Sequence, residues 1–201
     1  MPKRLILASA SPARRALLEA AGISVETQVS GVDESLVEAE DAYTLSLALA
    51  RMKARTVAST MPAEPGVLVL GCDSVLAFGG EILGKPVDED DARERWRAMR
   101  GRSGVLHTGH HLTDLTSGKQ AEEVGTTVVH FADVTDDEID AYVATGEPLH
   151  VAGAFTIDGR GAAFVERIEG DHGNVIGLSL PLLRRLLRQL GVDITDLWGK
   201  A

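Results

Sequence analysis

The stretch from Val67 to Phe78 constrains the fold more than any other part of the chain. Val67-Leu68-Val69-Leu70 is an unbroken apolar run, and after Gly71-Cys72-Asp73-Ser74 it resumes in Val75-Leu76-Ala77-Phe78. A strand apolar on both faces must be covered on both, as in a sheet with helices packed on either side. Gly79-Gly80 then predicts a hairpin turn into residues 81–86. Asp73 interrupts this pattern and is expected to be at least partly buried. A buried carboxylate needs a cation, a metal or several donors to stay charged. It is either an Asp at a strand end capping a turn, or a metal-binding or water-activating carboxylate facing a cleft that begins at Ser9. Gly71 lets another backbone or a ligand come close.

The second informative stretch lies near the start. Residues 5–8 read as a short buried strand, Ser11 as a helix N-cap and Pro12 as the first helical residue. The helix is expected over residues 12–21, with Gly22 as its stop. Arg14 and Arg15 fall in the first turn, where the helix dipole makes each cation unfavourable by roughly 0.3–1 kcal/mol. Ser9, Ser11, free backbone N–H groups and two guanidiniums therefore suggest an anion site, most plausibly for phosphate. The other reading is a surface helix whose arginines point sideways into water.

The remaining elements alternate between helical and strand periods. Strands are expected over residues 23–29, 105–112, 125–131 and 162–168. Helices are expected over 41–60 (Leu45, Leu49, Met52 and Thr56 on one side), 88–99 (Trp96 and Met99 buried), 135–144 (opened by a capping box) and 180–190. The last helix sets Arg184, Arg185 and Arg188 opposite its leucines, which suits packing on a sheet better than a membrane surface. Early alternation and later hairpins predict a mixed-sheet α/β or α+β fold in one domain spanning residues 1–201.

A formal net charge of −10 and few aromatic residues argue against binding a nucleic acid polymer. A polyanionic small molecule remains compatible, with a few Lys and Arg lining a local cleft and a divalent cation aiding its approach. Cys72 is the one cysteine, so an internal disulfide is impossible and a cytoplasmic location is expected. No apolar run suits a signal peptide or a membrane span. Asp33 and Glu34 lie adjacent in a loop, and carboxylates with water suit Mg²⁺; for Asp33 a solvated acidic turn is the preferred reading. Lys53 and Lys85 are candidates to neutralise phosphate oxygens, Lys85 the better placed because Gly84 and Pro86 flank it. His107, His110 and His111 lack the further ligands that zinc needs. Cys72 reads as a small core residue, Asp158-Gly159-Arg160-Gly161 is too short to mark a dinucleotide fold, and a P-loop pattern is absent.

These pieces, in this order, resemble the Maf family of nucleoside triphosphate pyrophosphatases. The resemblance runs through Ser9-Ala10-Ser11-Pro12 with Arg14, Val32-Asp33-Glu34, Ala50-Arg51-Met52-Lys53-Ala54 and Gly71-Cys72-Asp73-Ser74-Val75. It continues through Gly84-Lys85-Pro86, Gly101-Arg102-Ser103, Gly146-Glu147-Pro148, Ala152-Gly153-Ala154-Phe155 and Gly177-Leu178-Ser179-Leu180. It implies an elongated, bilobed α/β domain like that of inosine triphosphatases, with a curved mixed sheet around a cleft. It also implies hydrolysis of a nucleoside triphosphate to the monophosphate plus pyrophosphate with Mg²⁺ or Mn²⁺, and a homodimer. Asp73 matches the family's proton acceptor, while Ser9, Ser11, Arg14, Lys53 and Lys85 match its phosphate region, and Glu34 with Asp73 its metal region. Three positions bear on the family's substrate patterns, and Ala13 and Ser74 fit neither of them while Asp158 leans toward the second. Members acting on dTTP and UTP usually carry an Arg pair, Thr and Gln, and members acting on 7-methyl-GTP an aromatic residue, Gln and an acid, where this chain has Ala13, Ser74 and Asp158. Gly104 stands in place of the family's usual His. The sequence therefore predicts a nucleotide-pool hydrolase and leaves the base open; the alternative is a nucleotide-sensing or partner-binding protein in septum control with vestigial catalysis.

Overall fold

The computed structural model describes residues 3–199. Its centre is a seven-stranded mixed sheet in the order β2-β1-β3-β5-β6-β7, with β4 paired to β3. In chain order the elements are β1 (Arg4–Leu7), α1 (Pro12–Ala20), β2 (Val25–Thr27), α2 (Ala42–Ser59), β3 (Val67–Phe78), β4 (Glu81–Leu83) and α3 (Glu89–Met99). Then follow β5 (Ser103–Asp114), β6 (Gln120–Phe131), α4 (Asp136–Val143), β7 (Val165–Glu169), α5 (His172–Ile176) and α6 (Leu180–Gln189). β1 runs parallel to β2 and β3, whereas β4 and β7 are antiparallel to their neighbours. The mixed α/β class expected from the element pattern is the one observed.

The chain divides into two compact units, the first comprising residues up to Asp73, Thr108–Gly125 and the segment from Gly177 onward. Here the apolar run of β3 works as its composition demands. Leu68, Leu70 and Cys72 join Leu5, Leu7, Leu18 of α1 and four leucines of α6 in one core, while Val67 and Val69 join Ile6, Ala8, Ala54 and Val57 in another. Strand periodicity thus sends alternate residues to opposite layers, one made by α1 and α6 and the other by α2. The arginines of α6 stay exposed, and among the described residues no helix is long and apolar enough to cross a membrane.

The buried face of α2 differs from the expected Leu45–Leu49–Met52–Thr56 side. It is Ala42, Ser46, Leu49, Ala50, Ala54 and Val57, mostly small residues. The reason lies in two glycines of the strands below. A Cβ at Gly71 would meet Ala50 O at 2.1 Å, and one at Gly109 would meet Ser46 O at 2.2 Å. Helix and strand backbones therefore touch, and small residues allow it. Of the two partners that Gly71 could admit, the structure shows backbone.

The second unit comprises Ser74–His107 and Thr126–Ile176. Trp96 of α3 is fully buried at its centre, donating from Nε1 to Ala154 O at 2.7 Å and meeting Phe131, Tyr142 and Phe164 edge-on. The sequence-expected strand over 162–168 begins only at Val165, because Arg160–Phe164 form a 3-10 turn instead. The strand expected over 23–29 shortens to Val25–Thr27. The capping box of α4 is present as expected.

Candidate functional site

The β3 alternation fixes where Asp73 points. Val67, Val69 and Gly71 face α2, so Asp73 faces α2 as well. On that helix Lys53 precedes Ala54, and its ammonium contacts the Asp73 carboxylate directly. The same ammonium lies 2.7 Å from Glu34 Oε1. Glu34 begins a 3-10 turn whose N-cap is Asp33, with Asp33 Oδ1 accepting from Ser35 N at 3.1 Å and from Ser35 Oγ at 2.6 Å. Asp33 is thus an exposed capping residue, as the preferred reading had it. One cation is shared by two carboxylates.

Burial of this cluster is graded. The Lys53 and Asp73 side chains are 12% and 10% exposed, whereas that of Glu34 is 50% exposed. Burial pushes the Asp73 carboxyl above the ordinary carboxylate range, outweighing the Lys53 ammonium and the Arg14 guanidinium that pull it down. A buried, proton-avid carboxylate held by a lysine is not the turn cap that was one reading of Asp73. Neighbouring Cys72 points into the opposite core, and burial pushes its thiol up to about 12, so it is an inert core residue.

The start of α1 supplies a second group of donors. Ser11 caps the helix by accepting from Arg14 N at 3.4 Å, and Pro12 occupies the first turn. Ser9 Oγ accepts from Ser11 N at 3.1 Å and from Arg14 Nη1 at 3.3 Å. Arg14 Nε donates to Gly177 O at 2.7 Å. Arg15 turns the other way and pairs with Glu19 at 2.7 Å on the exposed face. The arginine pair divides: Arg14 joins the serines, and Arg15 points into water.

Ser9, Ser11, Arg14, Glu34, Lys53 and Asp73 all belong to the first unit, with Ala13 in the first turn of α1; Ser74, Lys85 and Asp158 belong to the second. Lys85 is exposed, and the turn that carries it is fixed by Arg95, whose Nη1 donates to Gly84 O at 2.7 Å. Asp158 is exposed on a loop gathered around one carboxylate. Glu147 accepts from Thr156 Oγ1 at 2.5 Å, Arg160 N at 3.0 Å, Gly161 N at 3.1 Å and Tyr142 Oη at 3.2 Å. At Gly104, where the family usually has His, a Cβ would meet Leu76 Cδ1 at 2.9 Å and Ala77 O at 3.3 Å.

Among the described residues no group of three or more His, Cys, Asp and Glu gathers as a metal site. His111 is instead buried against Glu122 at 2.7 Å. Glu34 and Asp73 do present hard carboxylate oxygens to one cationic position. That donor set fits Mg²⁺ or Mn²⁺, ions that complete their shells with water and substrate phosphates. Sequence reasoning did not foresee the contacts of Arg95 with Gly84, of Glu147 with Arg160 or of His110 with Ser179.

Comparison with known proteins extends over the whole length. A family profile described as Maf-like protein matches residues 4–190. A protein of Salinispora tropica is 63% identical over 100% of this chain and 89% of its own length. One from Streptomyces coelicolor is 59% identical over 99% of this chain and 96% of its own, and one from Microcystis aeruginosa 52% identical over 96% and 98%. Each of the three is named nucleoside triphosphate pyrophosphatase.

Proposed function

The chain belongs to the Maf-like family, and we propose that its nucleoside triphosphate pyrophosphatase activity is carried by the Asp73–Lys53–Glu34 cluster and the Ser9–Ser11–Arg14 helix start. Supporting this most directly is Asp73, a buried carboxylate raised in proton affinity and held by the ammonium of Lys53. A nucleotide sensor would not require such a group.

In the reaction a water oxygen bonds to the α-phosphorus, and the bond from that phosphorus to the oxygen bridging to the β-phosphorus breaks. Asp73 orients the water and takes its proton. The leaving pyrophosphate and the equatorial oxygens of the transition state gain negative charge, which Arg14 and Lys53 are placed to offset. Ser9 and Ser11 contribute hydroxyls beside Arg14, and Lys85 contributes a further ammonium. Glu34 and Asp73 would hold the divalent cation, whose chemistry is to neutralise phosphate oxygens and acidify water. Products are a nucleoside monophosphate and pyrophosphate. Ala13, Ser74 and Asp158 are the positions proposed to set the preferred base, consistent with a role in removing non-standard or modified nucleotides. The protein is further proposed to act in the cytoplasm as a homodimer, a reading that rests on the buried single cysteine and the family resemblance.

Pyrophosphate release measured across normal and modified triphosphates, with Mg²⁺ and with Mn²⁺, tests the activity. Release from at least one triphosphate, dependent on the divalent ion, is expected. Metal-independent release would remove Glu34 from its role, and no release from any triphosphate would overturn the reading.

A further inference from the structure

The three histidines of β5 have no part in the chemistry above, yet His110 occupies an unusual place. It is fully buried in the first unit. Its Nδ1 lies 2.9 Å from Thr108 O, and its Nε2 lies 2.9 Å from Ser179 N. A carbonyl can only accept and an amide N–H can only donate, so Nδ1 carries the proton and Nε2 offers its lone pair. One neutral tautomer is thereby imposed, and it fastens the backbone at Ser179.

Ser179 caps α6, accepting from Leu182 N at 3.2 Å, and stands two residues beyond Gly177. The Gly177 carbonyl is the one that holds Arg14 Nε at 2.7 Å. Gly177 has φ +123°, and a Cβ there would meet Arg14 Nε at 2.9 Å. Arg14 is therefore seated against the bare backbone of a turn whose far end is tied to β5. The tie matters because the Ser179 N–H belongs to the peptide that follows the Gly177–Leu178 peptide, so freeing it lets the turn shift and displaces the Gly177 carbonyl, one of the acceptors that orient the Arg14 guanidinium beside Ser9 Oγ.

We infer that His110 is a positioning residue for Arg14, acting through the Gly177–Ser179 turn that it fastens. The inference rests on the proposed phosphate-binding role of Arg14, and the test separates the two. His110→Leu removes both hydrogen bonds at similar volume, His110→Gln keeps one donor and one acceptor, and Arg14→Met removes the guanidinium. Affinity for a non-hydrolysable triphosphate analogue is measured by calorimetry for each variant and for the Arg14→Met/His110→Leu double variant. Circular dichroism accompanies each measurement.

Arg14→Met is expected to weaken binding by tenfold or more, and His110→Leu by about three- to tenfold, with most of the loss recovered in His110→Gln. In the Arg14→Met background His110→Leu should cost less than twofold, because residues that act through one another are not additive. KM should rise with kcat little changed. An equal fold-loss in both backgrounds, or no loss in folded His110→Leu, would overturn the role of His110 while leaving that of Arg14 intact. Full affinity in Arg14→Met would instead overturn the Arg14 reading and this inference with it. Should His110→Leu not fold, His110→Asn, too short to span both partners, carries the same expectations.

Discussion

Lys53→Met isolates the physical tension at the site. It keeps most of the unbranched side chain and removes the ammonium that faces Asp73 and Glu34. Both members of the Lys53–Asp73 pair are nearly nine-tenths covered, at 12% and 10% exposure. Removing one partner of such a pair costs about 3–5 kcal/mol, because a charge is left buried and unpaired. Glu34 is half exposed and adds little. The sign with pH follows from Asp73, which burial already holds above its ordinary value against the pull of Lys53 and Arg14. Without the ammonium it rises further. A group whose folded pKa exceeds its unfolded one leaves stability intact below the unfolded value, near 4, and erodes it as pH climbs through the folded value. The variant should therefore match the wild type near pH 4 and fall behind as pH rises. Urea denaturation from pH 4 to 9 measures the deficit. A deficit independent of pH, or none at pH 8, would refute this account of Asp73.

Two further outcomes follow from the packing and charge around α2. Gly71→Ala drives a Cβ to 2.1 Å from Ala50 O, a backbone atom that cannot step aside, so a loss of about 3 kcal/mol or more in denaturant unfolding is expected; a change within about 0.5 kcal/mol would mean that helix and strand do not touch. Glu122 is held down to about 2, chiefly by its hydrogen bond from Arg51 and also by His111. Its depressed pKa contributes stability above the ordinary glutamate range and loses it as pH falls toward 2. Wild type should therefore exceed Glu122→Gln in thermal stability at pH 7, with the gap closing below about pH 4.5; a gap that persists at pH 2.5 would contradict this.

What was legible in the sequence was local or periodic. The caps Ser11 and Thr135, the hairpin at Gly79-Gly80 and the two-faced burial of β3 each depend on residues a few positions apart. Asp73 stood out for the same reason, as a charge inside an apolar run. The direct pairing of Asp73 with Lys53 was not legible, since a loop and a strand separate them in sequence and the family resemblance assigned Lys53 only to the phosphate region. The buried face of α2 was misjudged because hydrophobicity favoured Leu45 and Met52, whereas close contact with Gly71 and Gly109 favours Ser46, Ala50 and Ala54. Both glycines were visible, but which backbone would approach them was not. Arg14 and Arg15 look equivalent in sequence; a carbonyl at Gly177, far along the chain, selects Arg14. The partners of Glu147 and His110 were not legible because later segments contribute them.

Asp73→Asn tests the central proposal most directly. The amide keeps the shape of the side chain but can neither accept the water proton nor carry charge beside Lys53. Pyrophosphate release under saturating triphosphate and divalent ion should fall by about 10²–10⁴-fold, with the circular dichroism spectrum unchanged. Turnover within a few-fold of wild type, in a folded variant, would contradict the assignment of Asp73 as the proton acceptor.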